Sequence, residues 1–284
     1  MKKNQIFKFS PILLLGMLCL ACQDDDNDGS SAVATNTDEV KTQQEKSELD
    51  RAVNHINGTV TGNFDTQSST TSRNSEESCA SITLEENDDE GSLLTIDYGE
   101  ACTLPNEDVV SGKIKVTYLL EEGVYNIVYE LENYQYNDIA VSGSATATYN
   151  QSDSRQYTYR YTSEFEFEWP DGLEATDTTT YSIETFWEDS EESFFSFYQL
   201  TTGDGQTAFN NGDTYSYEIT TPLRTESGCR YIVSGVWVQT ENTQSTTLDY
   251  GDGTCDNEAE QTDNDGNTII IDLDDRDDDE ESDT

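Results

Sequence analysis

Three glutamates spaced two apart, Glu164, Glu166 and Glu168, are best suited by type and spacing to carry chemistry. On a strand such residues share one face, and a pair of carboxylates across a sugar is how glycosidases supply an acid and a nucleophile. The Glu-x-Asp-x-x-Glu spacing of β-sandwich glycosidases is absent, so an exposed acidic sheet face is the simpler expectation. The acid-rich turns Asp249–Asn257 and Asp263–Asn267 offer loop oxygens of the kind calcium takes, with Asp249, Asp252, Asp256, Asp263 and Asp265 as the candidate ligands. Neither turn has EF-hand spacing, and Asn264-Asp265-Gly266 is equally a hairpin turn, so no resident metal or cofactor is expected. His55, the only histidine, has no ligand or base partner nearby in sequence and fits a polar position on a surface helix. Phe195 and Phe197 alternate with Phe194 and Tyr198, which puts rings on both faces of one strand, where they can pack a core or stack a sugar.

The elements that must carry these residues are strands. From Arg155 to Trp169, Tyr157, Tyr159, Tyr161, Phe165, Phe167 and Trp169 fall on one face and Thr158, Arg160, Thr162 and the three glutamates on the other. At roughly 3.4 Å per residue such a strand is about 45 Å long, which suits a large curved antiparallel sheet or barrel better than a compact sandwich. The same alternation is found at Lys113–Leu120, Val124–Glu132, Ile139–Tyr149, Thr179–Trp187, Phe194–Leu200, Thr214–Thr221, Arg230–Thr240, Ser245–Tyr250 and Thr268–Leu273. Glu121-Glu122-Gly123, Asn137-Asp138, Pro170-Asp171-Gly172, Gly203-Asp204-Gly205, Asn211-Gly212-Asp213 and Asn264-Asp265-Gly266 supply the turns. Turns this frequent leave no room for helical crossovers, so the expected fold is all-β: one large curved antiparallel meander over residues 79–273, for which an open sheet, a barrel-like form and a sandwich are all compatible with the pattern. One helix is expected ahead of it, over 37–57, capped at Thr37 and ended by Gly58, with Leu49, Val53 and Ile56 as its apolar stripe. Residues 58–78 form a Ser/Thr-rich linker and 274–284 a charged tail.

The whole chain carries a formal charge of −45, with 59 acids against 14 Lys and Arg. Phosphate backbones are repelled by such a chain, which excludes nucleic acid as a partner. Apolar content is only 33%, yet 16 Tyr, 10 Phe and 3 Trp give large faces to bury, so a folded body with acidic, disordered ends is expected.

The first residues set the location. Lys2, Lys3 and Lys8 precede the apolar run Ile12–Leu20, which is too short to span a bilayer and fits an export signal. Cys19-Leu20-Ala21-Cys22 resembles a bacterial lipobox, with Cys19 where the pattern has leucine. Gln23, Asp24, Asp25 and Asp26 resemble the surface-export tag of Bacteroidota lipoproteins, and residues 22–36 then serve as an acidic tether. The resemblance implies cleavage before Cys22 and acylation of its thiol and amine, at about 0.8 kcal/mol per buried CH₂. Cleavage removes three lysines and no acid, taking the formal charge from −45 to −48. Asp177-Thr178-Thr179 likewise resembles the Asp-(Ser/Thr)-apolar O-glycosylation site of that phylum.

Four cysteines remain, Cys79, Cys102, Cys229 and Cys255, an even number in an exported chain and hence two disulfides. Three pairings are possible; zinc would need tighter spacing or histidines. Thr95-Ile96-Asp97-Tyr98-Gly99-Glu100 precedes Cys102 as Thr247-Leu248-Asp249-Tyr250-Gly251-Asp252 precedes Cys255, which favours Cys79–Cys102 and Cys229–Cys255, stapling the first and last hairpins of the sheet. The duplicated pattern resembles that of uncharacterised Bacteroidota cell-surface lipoproteins, which implies export and a β-rich body and carries over no activity. The expectation for function is a non-catalytic lipoprotein of the outer membrane, palmitate-anchored and surface-exposed, that contacts a glycan or a surface protein. The alternatives are a carboxylate-based glycan-processing enzyme and a structural coat protein.

Overall fold

A computed structural model describes residues 37–64, 79–87, 91–153, 155–188 and 196–274. The chain divides into two compact units, Met1–Arg73 and Asn74–Thr284. The lipobox, the tether, most of the linker and the tail therefore lie outside the described residues.

The first unit holds α1, Thr37–Phe64. Leu49, Ala52, Ile56 and Val60 are buried at helical spacing, with Thr42 two turns before Leu49, and Val53 is half-buried. The helix does not stop at Gly58. An interior glycine costs about 1 kcal/mol relative to alanine, and continuing one more turn buries Val60, worth roughly 1.5–3 kcal/mol. The Thr61 hydroxyl donates back to the Asn57 carbonyl at 2.9 Å within that extra turn. Lys46 pairs with the nearly buried Asp50 one turn on. His55 sits half-buried on the same helix.

The second unit is one sheet. Its strands are β1 (Ser81–Asn87), β2 (Gly91–Thr103), β3 (Val109–Glu121), β4 (Val124–Tyr136) and β5 (Ile139–Asp153). The middle of the sheet is β6 (Gln156–Glu168), β7 (Glu174–Glu188), β8 (Ser196–Phe209) and β9 (Thr214–Glu226). It ends with β10 (Ile232–Glu241), β11 (Gln244–Asp252), β12 (Glu258–Thr262) and β13 (Thr268–Asp272). The 13 strands lie side by side in chain order, each antiparallel to the next. Neither a sandwich nor a closed barrel forms, because β1 and β13 each have a single neighbour.

The register gathers the apolar residues on one face. Across the middle of the sheet Ile127, Ala147, Tyr161, Tyr181 and Gly203 are mutual partners in one row, and Tyr129, Ala145, Ser163, Thr179, Gly205 and Tyr217 in the next. The second row has large rings at its ends and small residues in its middle, and the Tyr217 ring lies over Gly205. This is why Ser163 interrupts the aromatic run of β6 and why Gly203-Asp204-Gly205 is not a turn. The three residues lie inside β8, where a Cβ on Gly203 would strike the Tyr181 backbone and one on Gly205 the Tyr217 ring. Tyr161 and Tyr181 approach to 4.9 Å and Tyr129 and Tyr161 to 6.2 Å between ring centres. Loss of water around these phenols pushes Tyr129 and Tyr181 far above the usual tyrosine range, and Tyr159 and Tyr217 up to about 12. The cluster is therefore uncharged at any physiological pH. The opposite face carries Ser142, Ser144, Thr146 and Thr148 of β5, the three glutamates of β6, and Thr176, Thr178 and Thr180 of β7. We refer to the two as the apolar and the hydroxyl face.

Candidate functional site

The disulfides pair as the duplicated motif implied. Cys79–Cys102 and Cys229–Cys255 have Cα separations of 5.4 Å and 5.8 Å. Both copies of the motif build the same object. Ile96 and Tyr98 in the first, and Leu248 and Tyr250 in the second, are buried on the apolar face. Asp97 Oδ1 accepts the Gly99 N–H at 2.9 Å, and Asp249 Oδ1 accepts the Gly251 N–H at 2.9 Å. Gly99 and Gly251 have φ of 69° and 87°, and the pairing register shifts beside each. The motif is thus an aspartate-bridged glycine bulge that bends a strand end toward its cysteine. One expectation is corrected here. The first staple closes the β1–β2 hairpin, but the second closes β10–β11, leaving β12 and β13 outside it. β12 escaped notice because Glu258–Thr262 contains one apolar residue, Ala259, against the four polar ones around it. Because strands alternate in direction, the two staples stand at opposite ends of the sheet.

The calcium candidates are not brought together. Asp252 and Asp256 belong to the end of the sheet where Cys229–Cys255 sits, and Asp263 and Asp265 to the opposite end. Asp249 lies on the hydroxyl face between Val236 and Glu260. Their carboxylates close local turns. Asp252 accepts from the Thr254 hydroxyl at 2.9 Å, Asp256 from the Glu258 N–H at 3.2 Å, and Asp263 from the Asn267 and Asp265 N–H groups at 2.8 Å and 2.9 Å. The Thr254 and Asn267 donors hold the Asp252 and Asp263 carboxyls below the usual aspartate range. Among the described residues no group of three or more His, Cys, Asp or Glu side chains could hold a metal ion.

Glu164, Glu166 and Glu168 are exposed on the hydroxyl face, as the alternation predicted. Ser142, Glu166, Glu168, Glu174, Thr176 and Asn210 border an open depression of about 710 Å³. Glu168 and Glu174 are direct cross-strand partners there, and the Ser142 hydroxyl donates to Glu166 at 3.4 Å. Enzymes that split two carboxyls into an acid and a nucleophile do so by desolvating one of them; these stand in water, so the depression lacks that device.

A more differentiated patch lies farther along the same face. Phe186 of β7 and Tyr198 of β8 are cross-strand partners with rings stacked at 4.9 Å and 16°. The Arg224 guanidinium of β9 lies 3.9 Å over the Tyr198 ring, and its Nε donates to Glu226 at 2.7 Å. Phe197, one residue along, faces the other way and packs on Trp187 at 5.0 Å. Rings do therefore fall on both faces of this strand; Phe194 and Phe195 lie outside the described residues. The half-exposed Phe186, Tyr198 and Arg224 form a π-rich surface beside Gln156, Glu184 and Leu200, with the Arg224–Glu226 pair at its rim. Sequence reasoning missed Phe186, Arg224 and Glu226 because they converge only through the β7–β8–β9 register.

A second duplication also went unnoticed. Asn106-Glu107-Asp108 and Asn211-Gly212-Asp213 are loops of one shape, each clamped by a distant asparagine: Asn137 Oδ1 accepts the Val109 N–H at 2.9 Å, and Asn242 Oδ1 the Thr214 N–H at 2.8 Å. Asp108 also accepts from Tyr136. Both clamp asparagines have φ of 53°, so the signal available in the sequence was an asparagine at a two-residue turn, the residue that best tolerates that conformation. Asp177 is buried and accepts from the Thr207 hydroxyl at 2.7 Å, so in the Asp-Thr-Thr tripeptide only Thr178 is exposed.

Comparison with protein-family models, with curated proteins and with solved structures finds no match for this chain. Among the described residues no helix is long and apolar enough to cross a membrane.

Proposed function

We propose that this chain is a lipoprotein of the outer membrane, acylated at Cys22 and carried to the cell surface, whose sheet captures a glycan without transforming it. The observation that carries the reading is the Tyr198 ring held between Phe186 and Arg224 on the polar face of the sheet. Sugars present C–H groups on one side and hydroxyls at their edge. A stacked aromatic pair rimmed by Arg224, Glu226, Glu184 and Gln156 offers ring surface for the first and hydrogen-bonding groups for the second. Supporting the location are the lipobox-like Cys19-Leu20-Ala21-Cys22 and the Gln23–Asp26 tag. Strong net negative charge favours a neutral glycan over an acidic one.

The test is a glycan array probed with the full mature chain, compared with Phe186→Ala/Tyr198→Ala and with Glu164→Gln/Glu166→Gln/Glu168→Gln. The reading expects retention of neutral glycans, at least tenfold weaker in the aromatic variant and unchanged in the glutamine variant. Loss of a hydrolytic activity in the glutamine variant would instead establish the enzyme alternative. For the anchor, Cys22→Ala should lose its acyl label and leave the membrane fraction; continued retention there contradicts it.

A further inference from the structure

The two outer strands of the sheet differ in how they meet solvent. On β1 the edge carries Glu85, and the start of the strand is tied down through Cys79–Cys102. β13 reads Thr-Ile-Ile-Ile-Asp, has no charge until its last residue, and lies outside both staples. Ile269 on the apolar face and Ile270 on the hydroxyl face are 57% and 61% exposed. These two are the most exposed large hydrophobic side chains of the described residues, and they are adjacent on one edge.

The backbone of that edge is also unsatisfied by any described strand. The Leu273 N–H donates to the Asn257 carbonyl at 2.6 Å, and the Asp263 N–H to the Asn267 carbonyl at 2.9 Å. Antiparallel pairing alternates, so Ile269 and Ile271 direct their backbone groups toward β12. The N–H and C=O of Thr268, Ile270 and Asp272 therefore point outward, away from the sheet. Natural sheets blunt such edges with lysine, proline or a cover; β13 contains neither lysine nor proline, and no described strand pairs with its outer edge.

We infer that β13 is a strand-addition site for another protein, taking an extended segment in which two or three consecutive β-branched residues are flanked by Lys or Arg. Consecutive apolar residues are required because Ile269 and Ile270 project to opposite faces, and an added strand must meet both. The flanking cations follow from charge. Asp263 and Asp265 stand before the strand and Asp272 and Asp274 after it. Arg230 lies 3.4 Å from Asp274, and among the acids at the ends of this strand Asp263, Asp265 and Asp272 have no ion pair with a cation among the described residues. A second copy of this chain is the poorer occupant, since it would bring two identical acidic edges together.

The test uses the full mature chain with Cys22→Ala and a fluorescein-labelled peptide, Thr-Val-Val-Val-Thr with two lysines at each end. A control peptide carries glutamates in place of the lysines. The inference expects saturable binding of the lysine peptide, at least tenfold weaker binding of the glutamate peptide, and slowed hydrogen exchange at the Ile270 amide. Ile270→Pro removes an outward N–H that bonds nothing in the ladder, so the sheet survives, and it should weaken binding at least tenfold. Ile270→Lys keeps the N–H, replaces the apolar contact with a repelling charge, and should do the same. Equal binding by either variant or by the glutamate peptide, or no binding at all, overturns the inference. So does a concentration-dependent dimer that Ile270→Pro abolishes, which would assign the edge to a second copy.

Discussion

The β1–β2 hairpin and the β12–β13 hairpin occupy the two flanks of one sheet and are held by different means. The first is closed by Cys79–Cys102, with Cys102 buried and its bulge aspartate, Asp97, in an ion pair with Lys113 at 3.0 Å. The second has short five-residue strands, and the nearest staple, Cys229–Cys255, stops one hairpin short of it. The same motif therefore secures different things in its two copies: at Cys102 the outermost hairpin, at Cys255 only the strand pair behind it. Stability in this sheet is expected to fall toward β13, where the backbone is left available.

The largest test of that contrast removes the staples one at a time. Each closes a loop of similar size, 23 and 26 residues of separation, worth about 3 kcal/mol in the entropy model. Cys79→Ser/Cys102→Ser should cost more than Cys229→Ser/Cys255→Ser, because Cys102 is buried and Cys255 is exposed; urea denaturation gives both values, and equal losses would erase the asymmetry. Next, Ile96→Ala and Leu248→Ala, at matched positions and both buried, should each cost about 2–5 kcal/mol, with values close to each other if the two motifs are structurally equivalent. Gly99→Ala and Gly251→Ala come third, at roughly 1–2 kcal/mol each, since both place a Cβ at positive φ.

The smallest effect is set by pH. The Gly99 N–H and then Lys113 hold the Asp97 carboxyl below its ordinary value of 3.8. A carboxyl depressed on folding contributes stability that is present above about pH 4 and is lost as pH falls through the lower folded value. The second copy has Glu260 where Lys113 stands in the first. Acid titration of stability should therefore show Asp97→Asn losing less than the parent chain below pH 4; an identical acid response of the two would remove Asp97 from the account.

Much of the sheet was legible because its apolar face is built from rings. Six aromatics on one face of Arg155–Trp169 leave no other period, and six matched residues around Asp97 and Asp249 marked the staples. What escaped depends on neighbours that sequence does not order. Gly203-Asp204-Gly205 has turn composition, yet its glycines are there because the Tyr181 backbone and the Tyr217 ring occupy the space of a side chain. Gly58 has a cap's composition, but Val60 beyond it is buried and holds the helix together for another turn. The Phe186–Tyr198–Arg224 patch needed the register of three strands, and the openness of β13 needed the knowledge that no described strand pairs with its outer edge.

Hydrogen exchange at increasing denaturant compares the two flanks most directly. The account predicts that the Ile269 and Ile271 amides, bonded inward to β12, exchange through a local opening well below the global unfolding free energy. The Ile96 amide in β2 should exchange only with global unfolding until Cys79–Cys102 is reduced. Equal protection of both hairpins, or slower exchange in β13 than in β2, would contradict it.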